Sequence, residues 1–267
     1  MSTRPYTDAH AIARLDFALM FRKDLDAETQ QDLVNRLASH LEKFGLQRLA
    51  PTDSDAVLDD DGDEVVAFAR KDEDGDVAEE VHIHENYVHV VWSDYRGWLL
   101  SRDGAIERLA PAIELIKSGA LGFAGVGLAY RDVFLTDEGA LFDASKVFRE
   151  DSELLPSFLL GKGSKWRHWS GWVEPEGAVS QWRNTCMLGI DVGERSQDDG
   201  PKVHVTEVVH RQRLYGAKEG AEAAAVELAM MWDEAHKQNR SLMNRLICDQ
   251  MLELIGLKEG PNEHAMR

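Results

Sequence analysis

The stretch Tyr87–Phe134, YVHVVWSDYRGWLLSRDGAIERLAPAIELIKSGALGFAGVGLAYRDVF, constrains the fold of this chain more than any other. Its apolar residues alternate, then recur at helical spacing, then alternate again. That order reads as a strand, an aromatic turn, a helix and a glycine-punctuated strand. The spacing predicts a helix over about residues 105–117, bent or restarted at Pro111, because proline lacks the amide that the helix ladder needs. Upstream, Leu15, Phe17, Leu19 and Phe21 alternate with Arg14, Asp16 and Arg22, the pattern of a half-buried strand. Asp26 then caps a helix with the apolar stripe Leu33, Val34, Leu37 and Leu41, closed near Gly45. Strand, helix, antiparallel strands, helix, strand is the order of an α+β half of the split βαβ kind.

Beyond it the pattern predicts a connector and then three antiparallel strands, WRHWSGWVE, WRNTCMLGIDV and KVHVTEVVHRQRLY, forming a meander. A long helix is predicted from about Ala221 to Ile255. Three units follow: residues 1–141 as an N-terminal half with acidic hairpin loops, 142–163 as a connector, and 164–267 as meander plus helix. The two halves can share one core.

Charge is unevenly placed. Between Asp53 and Glu80 thirteen acidic residues stand against Arg70 and Lys71, more than half of the net charge of −18. Such a field repels membranes and nucleic-acid phosphates and favours a basic protein partner. It also suits two solvated hairpin loops. Neither acidic turn has the glycine and glutamate positions of an EF-hand loop. Two cysteines, no apolar run of bilayer length and no signal-like N-terminus lead to the expectation of a cytoplasmic protein without a disulfide framework.

Two constellations carry chemistry. In His82-Ile83-His84-Glu85-Asn86-Tyr87-Val88-His89, a turn at Glu85–Asn86 sets His84 opposite Tyr87 and His82 opposite His89. Alternation then puts His82, His84, Tyr87 and His89 on one face and the Val/Ile set on the other. His82, His84 and His89 could hold zinc and leave a fourth position for water. A valine face in the core and a polar histidine face explain the same pattern without a metal. The second constellation is Lys165, Trp166, Arg167, Trp169 and Trp172, where cations interleave with indoles as in stacking sites for bases or planar ligands. Alternation separates Trp166 and Trp172 from Arg167 and Trp169, so only one pair can be core, and Arg167 with Trp169 is the expected exposed pair. Asp191 could join His204 or His210 as an acid–base pair, but the sequence fixes no register between them. No complete catalytic fingerprint is present.

Tyr-x-Gly-Trp at Tyr95–Trp98, V-G-L-x-Y at Val126–Tyr130, the strand MLGIDV, the Ala235–His236 step and LIG at Leu254–Gly256 resemble, in that order, motifs of a sporadically distributed bacterial family of about 250 residues and unknown function. The similarity covers roughly residues 87–256. It implies an α+β fold with a long C-terminal helix, and the family's scattered distribution implies a link to mobile-element or defence loci. The chain departs from the family's L-R-Y-I-N in the central strand, reading Leu128-Ala129-Tyr130-Arg131-Asp132.

The expectation from sequence is therefore a non-catalytic interaction or accessory protein with no cofactor. A zinc-dependent hydrolase built on the histidine hairpin is one alternative. An RNA- or nucleotide-binding module built on the tryptophan segment is the other.

Overall fold

Alternating side chains and turn residues generate strands that pair only antiparallel. The computed structural model describes residues 3–7, 9–49, 66–136, 142–174, 182–193, 202–213 and 225–257. In chain order the strands are β1 (Thr3–Pro5), β2 (Ile12–Phe21), β3 (Gln47–Arg48), β4 (Val66–Lys71), β5 (Val77–Ile83), β6 (Tyr87–Trp92), β7 (Phe123–Thr136), β8 (Trp166–Glu174), β9 (Trp182–Gly193) and β10 (Lys202–Arg213). The helices are α1 (Ala27–Leu41), α2 (Trp98–Arg108), α3 (Ala110–Lys117), α4 (Ala225–Leu246) and α5 (Asp249–Leu254). One sheet runs β3-β4-β5-β6-β2-β7-β10-β9-β8, and β1 also pairs with β7.

The protein is α+β. β2 is antiparallel to both β6 and β7, so β6 and β7 run parallel with one strand between them. The chain passes from β6 to β7 through α2 and α3, which makes this a split βαβ unit. β8, β9 and β10 form the meander. The sheet is continuous past residue 141, since β7 pairs with β10 over eleven residues. Residues 142–163 link the halves with 3-10 turns at Ala144–Lys146 and Ser157–Leu159.

Local chemistry sets the helix ends. Asp26 accepts the Thr29 amide at 2.8 Å, and Gly45 closes the turn after α1 at φ 76°. Pro111 sits in the first turn of α3, where its missing amide costs nothing, and divides α3 from α2. The helix expected from Ala105 instead begins at Trp98. Its inward residues are the small Ser101 and Ala105 while Leu99 and Leu100 are exposed, so hydrophobic spacing gave no sign of it. The long terminal helix also breaks. At Ile247 the chain leaves α4 to bridge Phe148, with the Cys248 amide donating to the Val147 carbonyl at 2.8 Å, and α5 begins afresh. Among the described residues no helix is long and apolar enough to cross a membrane.

The helices pack on one side of the sheet. Leu15, Phe17 and Leu19 of β2 and Val126 and Leu128 of β7 are buried there. α4 contributes Trp232 and Ala235 to that cluster, and Met243 and Leu246 to a second cluster under β8–β10. Between the clusters lies a wholly buried acidic pair. Glu207 stands opposite Tyr130 and beside Asp132, and its Oε2 accepts Asn239 Nδ2 at 2.8 Å. Of the two acidic turns, residues 59–63 lie outside the described residues. The other is closed by Asp72, whose carboxylate accepts the Asp74 and Asp76 amides.

Candidate metal centre on the helix-free sheet face

Every residue that alternates with the buried set points to the other face, which no helix among the described residues covers. The hairpin of β5 and β6 delivers its histidines to that face. His82 pairs with His89 and Ile83 with Val88, and the His84 amide donates to the Tyr87 carbonyl at 2.9 Å. Val81, Ile83, Val88 and Val90 are fully buried on the helix side. The loop Glu85–Asn86 is not the I′ turn that glutamate resists, since no non-glycine residue among those described has positive φ. Its carbonyls are anchored instead: Glu85 O accepts the Leu25 amide at 2.6 Å and Asn86 O the Phe21 amide at 2.7 Å.

His82, His84 and His89 each bring a ring nitrogen to within 4.8 Å of the other two. The Nε2 atoms of His82 and His89 are shielded from solvent and accept or donate no hydrogen bond. His84 stacks on Tyr87 at 3.9 Å, and the His82 and His89 ring centres are 4.9 Å apart, so each ring is held by its neighbours. Burial, then the charges of His82, His84 and Arg14, holds the His89 imidazole well below its usual pKa. It is therefore neutral at physiological pH, with a lone pair to offer.

A carboxylate stands beside the set. Glu80 lies two residues before His82 on the same face, with Oε1 3.6 Å from His82 Nε2. That is too long for a hydrogen bond. The His82 imidazole beside it holds the Glu80 carboxyl below its usual range. Glu80-x-His82-x-His84 obeys the same alternation as the histidines, so the sequence contained the signal for Glu80. These side chains fit a borderline-soft divalent ion such as zinc, which prefers imidazole and carboxylate donors.

The tryptophan segment reaches the same face at the far end of the sheet, with four strands between β6 and β8. Arg167 and Trp169 are there, and the Trp169 side chain is 64% exposed. Trp166 and Trp172 point to the helix side and pack on the core clusters. Lys165 and Arg167 line a shallow cleft with Trp166, Asp191, Gly193 and His204. Asp191 does lie directly opposite His204, but its carboxylate pairs with Arg167 at 2.9 Å. His210 stands two strands away from Ala18, over Gly127. A Cβ at Gly127 would come within 3.1 Å of the His210 ring. His236, on α4, accepts or donates a 2.8 Å bond with the Tyr130 hydroxyl and stacks on Trp98 at 4.1 Å.

No family model matches this chain, and no curated protein matches it. The resemblance to the bacterial family thus rests on its short motifs, and its link to mobile-element or defence loci is a proposal only.

Proposed function

We propose that this chain is a metal-dependent hydrolase whose centre is His82, His84 and His89. The observation that carries the reading is the convergence of three imidazole nitrogens, shielded from solvent and two of them without hydrogen bonds, on one sheet face. This departs from the cofactor-free expectation, because a face that merely needed polarity would not aim its ring nitrogens at one another. The interaction-protein reading leans on the acidic stretch, about half of which lies outside the described residues. When bound, the ion supplies a Lewis acid and brings the pKa of a water at the open position to about 7. His82, His84 and His89 would hold it from two adjacent strands. Glu80, beside His82, would be the proton acceptor at that position.

After dialysis against EDTA, calorimetric titration with zinc is expected to give one site per chain. The double variant His82→Ala, His84→Ala should lose it while keeping the parent melting curve, since the valine face carries the hairpin's burial. Glu80→Gln should keep one zinc and lose turnover of an activated phosphodiester by ~10²-fold or more. Absence of zinc binding in the parent, or unchanged binding in the double variant, removes the metal centre. Equal turnover in Glu80→Gln removes its proposed role.

A further inference from the structure

The face that bears the histidines changes character toward β8. On β1 and β7–β10 it carries Arg4, Arg131, Arg167, Arg183 and Lys202 against one acidic residue, Asp191, among the described residues. A chain with a net charge of −18 thus presents a basic surface on the side of its sheet that carries no helix among the described residues. At the β8 edge of that surface Trp169 lies against the neighbouring strand. Its six-membered ring covers Gly189 so closely that a Cβ there would meet three ring atoms at 2.6–2.8 Å. One indole face is pressed on the backbone and the other looks outward, with the exposed Met187 in the adjacent row. An aromatic ring that served only the core would be turned inward, as Trp166 and Trp172 are.

Between this platform and the histidines, Ala18 of β2 and Ala129 of β7 are the small residues of this face. The His210 ring lies over Gly127 in the row that joins His89 to His210, as the Trp169 ring lies over Gly189. From β8 to β6 is five strand spacings, roughly 24 Å.

We infer that the substrate class is single-stranded nucleic acid, laid across the helix-free face with a base stacked on Trp169 and its phosphates met by Arg167 and Arg183. This rests on the proposed hydrolase reading for what happens at the histidine end, but not for the binding itself. Duplex is disfavoured, because a base can cover the indole only when it is unstacked from its neighbours. An acidic peptide would satisfy the arginines and leave the indole without a planar partner.

The test is fluorescence anisotropy of a fluorescein-labelled uridine 12-mer, with EDTA present so that no metal takes part. Binding is expected at low salt, weakening as sodium chloride is raised. Trp169→Ala should lose about tenfold or more in affinity, and Arg167→Ala with Arg183→Ala should flatten the salt dependence. Circular dichroism checks that each variant is folded, and Trp169→Phe, which keeps a ring on Gly189, should regain most of the binding. No binding at low salt overturns the inference, as does equal binding by Trp169→Ala, or preference for the same sequence as duplex. Zinc titration of the same samples reads the metal centre independently, so failure of one reading is distinguishable from failure of the other.

Discussion

Trp232→Ala is expected to cost most of the protein's stability. Trp232 is fully buried, meets Phe17 edge-on at 5.3 Å and donates from Nε1 to the Gly127 carbonyl at 3.0 Å. Truncating a buried tryptophan costs ~3–5 kcal/mol. The Gly127 carbonyl, left without its donor beneath α4, adds about 1–3 kcal/mol. Against a total of roughly 5–15 kcal/mol, little remains. Urea unfolding followed by circular dichroism should show the midpoint collapse or the variant fail to fold. Trp232→Phe, which keeps an aromatic ring against Phe17 but loses the bond, should fall between. If the alanine variant unfolds within a few degrees of the parent, α4 is not the element that joins the sheet to its helical layer.

Raising the pH from 7 to 8.5 is expected to destabilise the folded state, and Asp132→Asn to remove much of that loss. Burial pushes the Asp132 carboxyl up to about 7. Burial, and then the neighbouring Asp132 charge, pushes Glu207 well above its usual range. Both groups thus bind protons more tightly folded than unfolded. Their contribution to stability is complete below the unfolded pKa of ~4 and is lost as pH climbs through the folded values. Buried histidines act in the opposite sense. His236 is lowered to about 4, chiefly by burial, so its contribution grows as pH rises toward ~6.5 and then stops changing. Below that point the two trends offset each other. Above it the acidic pair alone acts, before the Cys186 thiol, raised by burial to about 11, enters its own window above ~9. The loss over this interval is expected to fall chiefly on Glu207, at up to ~2 kcal/mol for one proton over 1.5 pH units. A parent protein equally stable at pH 7 and 8.5 would mean that the two carboxyls do not share a proton.

The parts of this architecture that were legible in the sequence are those fixed by near neighbours. A two-residue loop and strict alternation set the register of the histidine hairpin, and with it the shared face of His82, His84 and His89. The same alternation sorted Arg167 and Trp169 from Trp166 and Trp172. Pro111 marked the break between α2 and α3. Strand order was not legible, because β2 inserts between β6 and β7 by packing under α4 and not by any local signal. Nor was the Asp132–Glu207 pair, since each stands among apolar residues of its own strand, Leu128 and Phe134 on β7 and Val205 and Val209 on β10, and only strand pairing brings the two together. Trp169 shows the limit from the opposite side. Its exposure follows from alternation, but the glycine that makes room for it lies on the neighbouring strand, and pairing alone brings Gly189 beneath it.

The stapling of both core clusters by α4 has a consequence for biogenesis. β7 finds β2 early in the chain, but its other edge waits for β10, and both clusters stay open until α4 has been made. Residues 137–246 separate the end of β7 from the end of that helix. At elongation speeds of about 5–20 residues per second, the ribosome takes roughly 5–20 s to supply them. During that interval a long strand with an unpaired edge and an uncovered apolar face is exposed, the combination that invites intermolecular pairing. A chain released at Arg213 is accordingly expected to be insoluble, and its recovery as a soluble, cooperatively folded protein would show that the sheet closes without α4. The nascent protein thus depends on whatever shields β7 until its last long helix arrives.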